Sequence, residues 1–253
     1  MIKKTLVSII TPSFNQGIFI EKTIKSVMRQ DYPLIEHIII DGGSSDNTIE
    51  ILNKYNDHVT WISEPDRGQA DAVNKGVFIA KGEIIGWLNS DDTYNEGAIR
   101  NAAEYLSANP EIVMLYGDAF HIDDDGKIIS DYPTEAFSLN RLADTCFICQ
   151  PSVFLKKDVF EEVGLLDIGL QTCIDYEYWI RLGLHYSSNK FAYLKGAYLA
   201  NSRMYKENKT SMMRRKVYQE AMKIQKKYFG RISKMWIKGY IKENILRMKF
   251  KLH

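Results

Sequence analysis

The sequence predicts an α/β fold: a mostly parallel sheet flanked by helices, with a helical extension at the C-terminus. Three observations predict it. Short β-branched apolar runs of strand length recur through the first half of the chain, and each stops at a polar loop. Between them lie stretches with apolar residues at helical spacing, and strands alternating with short helices imply βαβ units around a parallel sheet. One such run, Ile84 to Leu88, leads through Asn89-Ser90 into Asp91-Asp92. Ligands of open α/β sheets gather outside the carboxyl ends of the strands, where this acidic pair falls.

In chain order, Leu6–Ile10 reads as a strand that stops at Thr11-Pro12. Thr11–Asn15 is then a loop, and Asn15 is placed to cap a helix whose apolar face is Ile20, Ile24, Val27 and Met28. Glu36–Ile40 is a second strand, closed by Asp41–Asp46 and followed by a helix carrying Ile51, Leu52 and Tyr55. Val59–Ser63 is a third strand, ending at Glu64–Gly68, and Ala72, Gly76, Val77 and Ala80 mark the helix before the 84–88 strand. Asn95–Asn109 reads as a helix, Ile112–Gly117 as a strand, and Asp124-Asp125-Gly126-Lys127 as a hairpin turn. From Thr134 to Ala200 the periodicity weakens, leaving helical signals at Asp158–Val163 and around Tyr176–Leu184. Val217, Ala221, Ile224 and Tyr228 recur at helical spacing before Gly230, a stop signal. Ile237, Ile241, Ile245 and Met248 form a last stripe beside Trp236 and Tyr240, with Lys234, Lys238 and Lys242 on another face. The expected organisation is a body over 1–202, with halves 1–117 and 118–202, and a basic amphipathic tail over 203–253.

The 253 residues carry 33 Lys/Arg against 32 Asp/Glu, but the charge is unevenly spread. Residues 203–253 hold 16 of the basic residues and 3 Glu, leaving 17 basic and 29 acidic residues in 1–202. A basic tail on an acidic body is expected to meet an anionic surface, and basic and aromatic residues on an amphipathic helix suit an anionic membrane interface. The competing expectations are that the tail packs on the body or on a second subunit as a homodimer. Nucleic acid is disfavoured, because the acidic body opposes it.

No apolar run approaches the roughly 18–20 residues that cross a bilayer, and the start of the chain does not read as a signal peptide. Three cysteines, an odd number, point to a reducing cytoplasm, with the protein soluble or peripheral on the inner face of the plasma membrane. Cys146 and Cys149 form a C-x-x-C without a second pair, so they are expected as buried thiols. Neither G-x-G-x-x-G after the first strand nor the P-loop pattern is present, which disfavours the usual dinucleotide and P-loop folds.

Four polar loops at strand ends (Thr11–Asn15, Asp41–Asp46, Glu64–Gln69 and Asn89–Asp92) form a site suited to a nucleotide and a metal. Adjacent carboxylates repel unless a cation relieves them, and hard divalent ions are held through one or two carboxylates plus substrate phosphates. Here the sequence resembles the inverting family 2 glycosyltransferases, whose fold is GT-A, a Rossmann-like nucleotide-sugar-binding sheet. The resemblance covers roughly residues 5–205. It rests on Val7–Asn15, Ile40–Thr48, Trp87–Asp92 and Asp175–Arg181, in that order and at those intervals.

The resemblance implies that Thr11, Pro12, Phe14 and Asn15 cradle the base and ribose of a nucleotide-sugar, with Asp41 accepting from the base. It places Arg67 and Gln69 against the nucleotide, and Asn89 and Ser90 near the ribose. Asp91, with Asp92, would hold Mn²⁺ or Mg²⁺, and Asp175 would be the base that activates the acceptor hydroxyl. The sequence departs from the pattern with Asn89 in place of an Asp, and with Tyr205 where many relatives have a His. Arg203, Tyr205 and Lys209 are thus candidates for steadying the leaving diphosphate. Glu177 is a candidate for acceptor hydroxyls, or only a partner for Arg181. Read alone, Asp175 is also a plausible helix cap, and His37, His121 and His185 fall in no matching motif. The expected function is an inverting, metal-dependent hexosyl- or N-acetylhexosaminyl-transferase. Its donor would be a UDP-sugar and its acceptor a glycan or lipid-linked glycan, in surface polysaccharide or cell-wall biosynthesis. The alternatives are a non-catalytic nucleotide- or sugar-binding module and a sugar-nucleotide nucleotidyltransferase.

Overall fold

The computed structural model describes residues 4–251, with the side chains of residues 247–251 excepted. The expected place of Met248 in the last apolar stripe therefore lies outside the described residues. The first half alternates as expected: β1 (Val7–Ser13), α1 (Ile20–Met28), β2 (Ile35–Asp41), α2 (Thr48–Lys54), β3 (Thr60–Ser63), α3 (Gln69–Ile79) and β4 (Ile84–Trp87). Then follow β5 (Thr93–Tyr94), α4 (Ala98–Ala108), β6 (Met114–Ile122), β7 (Ile128–Asp131), α5 (Leu139–Leu142), β8 (Val153–Lys156), α6 (Val159–Glu162), α7 (Ile174–His185) and β9 (Phe191–Arg203). The tail consists of α8 (Lys209–Met212), α9 (Arg214–Phe229) and α10 (Lys234–Lys251).

The nine strands among the described residues form one sheet in the order β3-β2-β1-β4-β8-β6-β9-β5, with β7 paired to β6. The β3-β2-β1-β4 half is parallel, and β8 enters antiparallel between β4 and β6. The sheet runs unbroken through position 117, inside β6, so the two halves of the body share one scaffold. In the parallel half Ser13 is level with Asp41, and Asp41 with Ser63. That register brings the loops after β1, β2 and β3 together at one edge.

Residues alternate between two buried faces, as the β-branched runs require of a sheet covered on both sides. Ile10, Ile38, Ile40 and Ile85 pack into a layer with α3, α7 and α9, whereas Val7, Ile9 and Ile84 pack against α4. Helix α3 lies so close to β1 that a Cβ on Gly76 would strike the Ile10 side chain. That contact explains a glycine in the middle of a helix, where it otherwise costs stability.

Three local expectations change. Asn15 does not cap α1, whose first residues follow Phe19 without a side-chain cap. Instead Asn15 adopts a left-handed conformation (φ 52°), and its Oδ1 accepts from the Ser45 N–H, stitching the first loop to the second. The strand expected at 112–117 continues to Ile122 because the 123–127 turn folds it back onto β7. The tail does not detach at residue 203: Arg203 is the last residue of β9 and buried, and α9 puts Ala221 and Ile224 into the core. Helix α10 packs on α9 through the side bearing Trp236, which meets Tyr218, and Gly239. Its Ile237, Ile241 and Ile245 remain 40%, 52% and 45% exposed.

Candidate active site at the strand ends

A cavity of about 840 Å³ opens where the loops after β1, β2, β3 and β4 meet the start of α7 and the segment that follows β9. Its floor on the β4 side is the turn Asn89–Asp92. Four elements hold that turn. From α1, the buried Thr23 hydroxyl donates to the carbonyls of Ser90 (2.9 Å) and Asp92 (2.8 Å). Trp87 Nε1 donates to Asn89 Oδ1 (2.9 Å), and Asn89 Nδ2 donates to Gln150 Oε1 (2.8 Å). Gln150 in turn donates to the Trp87 carbonyl. From β9, Arg203 Nε donates to the Asp91 carbonyl (2.7 Å).

The two adjacent aspartates point to different places. Asp92 is 4% exposed; its Oδ1 accepts the Arg203 backbone N–H (2.8 Å) and its Oδ2 the Asn89 amide (3.1 Å). Burial first, and the Asp91 charge second, push its pKa well above the ordinary carboxylate range. Asp91 lines the cavity, and its Oδ2 accepts from the Tyr205 hydroxyl (3.0 Å). The expected pair of metal carboxylates differs in its partners: both line the cavity, but the two Asp92 oxygens are held by the Arg203 N–H and the Asn89 amide, whereas Asp91 is held at Oδ2 by Tyr205. A hard divalent ion fits this donor set if one carboxylate is joined by the oxygens of a bound diphosphate. Among the described residues no three His, Cys, Asp or Glu side chains converge into a self-sufficient metal cage.

On the donor side, Pro12, Ser13 and Phe14 line the cavity, and Phe14 is 59% exposed, a free aromatic face at the rim. Thr11 does not line it: its hydroxyl is buried against His37 Nε2 (2.9 Å). Burial drives the His37 pKa down to about 3, so this imidazole stays neutral. Asp41 is fully buried; Oδ2 accepts from the N–H groups of Gly43 and Ser44 and from the Ser63 hydroxyl. Its contact with a base is replaced by an indirect role, shaping the turn whose Gly42 faces the cavity beside Asp66. Arg67 points away, its side chain 70% exposed and paired with Asp71 (3.0 Å). Gln69 faces inward as expected, donating to Asn89 Oδ1 (2.7 Å) and accepting from Lys209 Nζ (3.1 Å).

At the other end stands Asp175, in the first turn of α7 and lining the cavity with the thiols of Cys146, Cys149 and Cys173. Burial raises the Asp175 pKa, and the charge of Lys209 works against the rise. Burial also lifts all three thiols, consistent with the inert character expected of them. Of the three cationic or phenolic candidates, Arg203 is spent on carbonyls: besides Asp91, Nη1 donates to those of Asp123 (2.6 Å) and Asp124 (3.0 Å), and the guanidinium lies over the Phe19 ring. Tyr205 touches Asp91, and Lys209 reaches into the cavity. Glu177 does not line it. That carboxylate is buried in an ion pair with Arg181 (2.9 Å) and accepts from Tyr228, which removes it from the acceptor side.

Sequence reasoning missed Ser13, Thr23 and Gln150. Ser13 Oγ is buried at the cavity without a hydrogen-bond partner among the described residues. Nothing in the local pattern marks Thr23 or Gln150, whose partners are 61 to 69 residues away.

A family model described as glycosyl transferase family 2 matches residues 8–164. An uncharacterized glycosyltransferase of Rickettsia conorii is 29% identical over 188 residues, which cover 70% of this chain and 31% of that protein. Residues 1–349 of S. aureus TarS, solved with UDP-GlcNAc, superpose with a TM-score of 0.70 at 17% identity, over 87% of this chain and 65% of that one. The mannosyltransferase PcManGT of Pyrobaculum calidifontis, solved with GDP-Man and Mn²⁺, gives 0.65 at 16% identity, over 87% and 63%. The chain therefore spans about a third of the Rickettsia relative and shares its fold with the two solved enzymes.

Arg203→Met should remove the guanidinium bonds to three carbonyls while leaving the backbone N–H that Asp92 needs. The expected loss is about 2–4 kcal/mol of stability, with the donors of several charge-assisted bonds gone and their carbonyl acceptors left buried. Urea unfolding at pH 7 reads it directly, and a loss below about 1 kcal/mol would show that the clamp is not structural.

Proposed function

The chain belongs to glycosyl transferase family 2, and from that premise we propose that it is an inverting glycosyltransferase that moves a hexosyl or N-acetylhexosaminyl group from a UDP-sugar to a glycan hydroxyl. The observation that carries the proposal is one cavity faced by three separate groups: Asp91, Asp175 and Lys209. Phe14 offers a face for the base, Gly42 allows close approach, and Ser13 has a hydroxyl to spare for the nucleoside. The UDP-GlcNAc bound by TarS supports a uridine donor, and the Mn²⁺ of PcManGT supports a metal at Asp91.

A divalent ion at Asp91 would act as a Lewis acid toward the departing diphosphate. Tyr205 holds the Asp91 carboxylate in position, and Lys209, which also lines the cavity, adds positive charge near the leaving group. Asp175, ionised, takes the acceptor O–H proton as the new bond to the anomeric carbon forms. The anomeric C–O bond breaks on the opposite side, and its electron pair leaves with the diphosphate. Burial of Asp175 makes its carboxylate a stronger base than an exposed one.

Calorimetry with UDP, GDP and dTDP, each with and without Mn²⁺, tests the donor site. UDP should bind with metal dependence, and Asp91→Ala should abolish that dependence. Absence of binding by any nucleotide would discard the transferase reading, and binding without turnover would favour the non-catalytic module.

The pH profile tests Asp175. Its raised pKa places the acid limb of kcat/KM above the ordinary carboxylate range: activity needs the ionised form and is lost as pH falls through that pKa. Lys209 favours the ionised form, so Lys209→Met should move the limb to higher pH as well as lower kcat. A limb that stays in place, or moves down, would remove Asp175 as the base or Lys209 as its neighbour.

We propose in addition that α10 rests on an anionic lipid surface, at the inner face of a plasma membrane, where a lipid-linked acceptor would lie. Apolar and basic residues are not segregated onto opposite faces of α10, so the expected amphipathic tail is not realised there. Exposed Ile237, Ile241 and Ile245 run beside Lys234 and Lys238, and the lipid contact rests on the lysine charge, which also disfavours a second copy of this face as the partner. Flotation with vesicles containing phosphatidylglycerol should carry the protein, and pure phosphatidylcholine vesicles should not. Binding should be lost when Lys234, Lys238 and Lys242 are changed to Gln. A tail that ignores both vesicles while the protein forms a dimer would replace the membrane with a second subunit.

A further inference from the structure

Glu220 lies on α9, beyond the matched family segment, and is 4% exposed. Its carboxylate does not serve its own helix. Oε2 accepts from the Thr172 N–H (2.7 Å) and the Thr172 hydroxyl (2.7 Å), and Oε1 accepts from the Gln171 N–H (3.2 Å). Lys216, one turn earlier, stands 3.5 Å from Oε1. A carboxylate held out of water is costly unless it is satisfied, and all three hydrogen bonds given to this one come from the loop that leads into α7, with the Lys216 charge beside it.

That loop needs an outside anchor. Helix α7 begins at Ile174 with no side-chain cap, and the preceding Cys173 sits in the left-handed region at φ 53°, which a non-glycine residue adopts at a cost. Asp175 follows two residues later. A rotation at Cys173 would swing the Asp175 carboxylate through the cavity, so whatever fixes Thr172 also fixes Asp175. Packing alone does not ask for a carboxylate at position 220, because α9 is already seated by Ala221 and Ile224, and by Gln225 donating to the Ala143 carbonyl (2.7 Å).

We infer that Glu220 is a positioning residue for Asp175: its carboxylate clamps the 171–172 backbone across α9 and thereby sets the direction of the base. This rests on Asp175 being the base, as proposed above. It makes the tail part of the catalytic unit rather than an appendage.

The test is a double-mutant cycle on the full-length chain. Hydrolysis of UDP-N-acetylglucosamine is followed as released UDP, or that of GDP-mannose if calorimetry selects GDP. Glu220→Ala should lower kcat by about 10–100-fold, the scale on which small misplacement of a reacting group is felt. KM and the UDP dissociation constant should stay within about twofold. In an Asp175→Asn background the same substitution should cost less than about threefold, because its effect passes through the missing base. Glu220→Gln, which keeps one acceptor oxygen, should recover part of the rate, and Thr172→Val should lose part of it. These two variants carry the test if Glu220→Ala does not fold. Equal losses in both backgrounds would overturn the inference and leave Glu220 a stability residue. A large effect of Asp175→Asn with none from Glu220 would do the same while leaving the proposed base intact. If Asp175→Asn is itself silent, or the wild type turns over no donor, the reading beneath falls and this inference with it.

Discussion

The arrangement depends on the burial of one carboxylate. Asp92 gives up water entirely, and it is tolerable there because the Arg203 N–H and the Asn89 amide take its two oxygens. The first of these ties the turn after β4 to the end of β9 across 111 residues of sequence, and the second closes the turn on itself. With both Asp92 oxygens engaged by Arg203 and Asn89, Asp91 lines the same cavity with Tyr205 on its Oδ2.

The same logic recurs around the site. Asp41 is buried so that the 42–44 turn keeps its shape, and Arg203 is buried so that the 90–92 and 123–124 loops stay together. In each case a charged residue that looks like a ligand contact holds backbone, whether it lies behind the cavity wall, as Asp41 does, or in the wall itself, as Asp92 and Arg203 do. Donor and acceptor sides are joined by a chain of side-chain bonds from Asn89 through Gln69 to Lys209. The segment after β9 therefore belongs to the donor half as much as to the tail.

Much of this was legible beforehand, and the misses share a cause. The strand–helix alternation up to β6, the Asp124–Lys127 hairpin, the α9 stripe and its Gly230 stop follow from local periodicity and turn chemistry, and the structure has them. Phe14, Asp91 and Asp175, from the motif stretches, and Gln69 and Lys209, named outside them, all line the cavity. Thr11, Asp41, Arg67 and Glu177 are expected in the site by type and position, and the structure gives each a partner away from the cavity, whereas Arg203 lines the cavity with its guanidinium engaged by carbonyls. For Glu177 that partner, Arg181, was visible as an i,i+4 pair; for Asp41 and Arg203 the partners are backbone groups whose approach no local pattern shows.

By itself the sequence determined the fold class, the strand ends at which a ligand would gather, and the residue types available there, because periodicity and turn propensity act over a few residues. Only the tertiary structure decided how the oxygens of two adjacent aspartates are partnered, that Lys209 reaches the cavity while Arg67 turns away, and that Glu220 reaches the loop before Asp175. Those outcomes depend on which buried polar group finds a partner across the sheet, and that is settled by packing at long range.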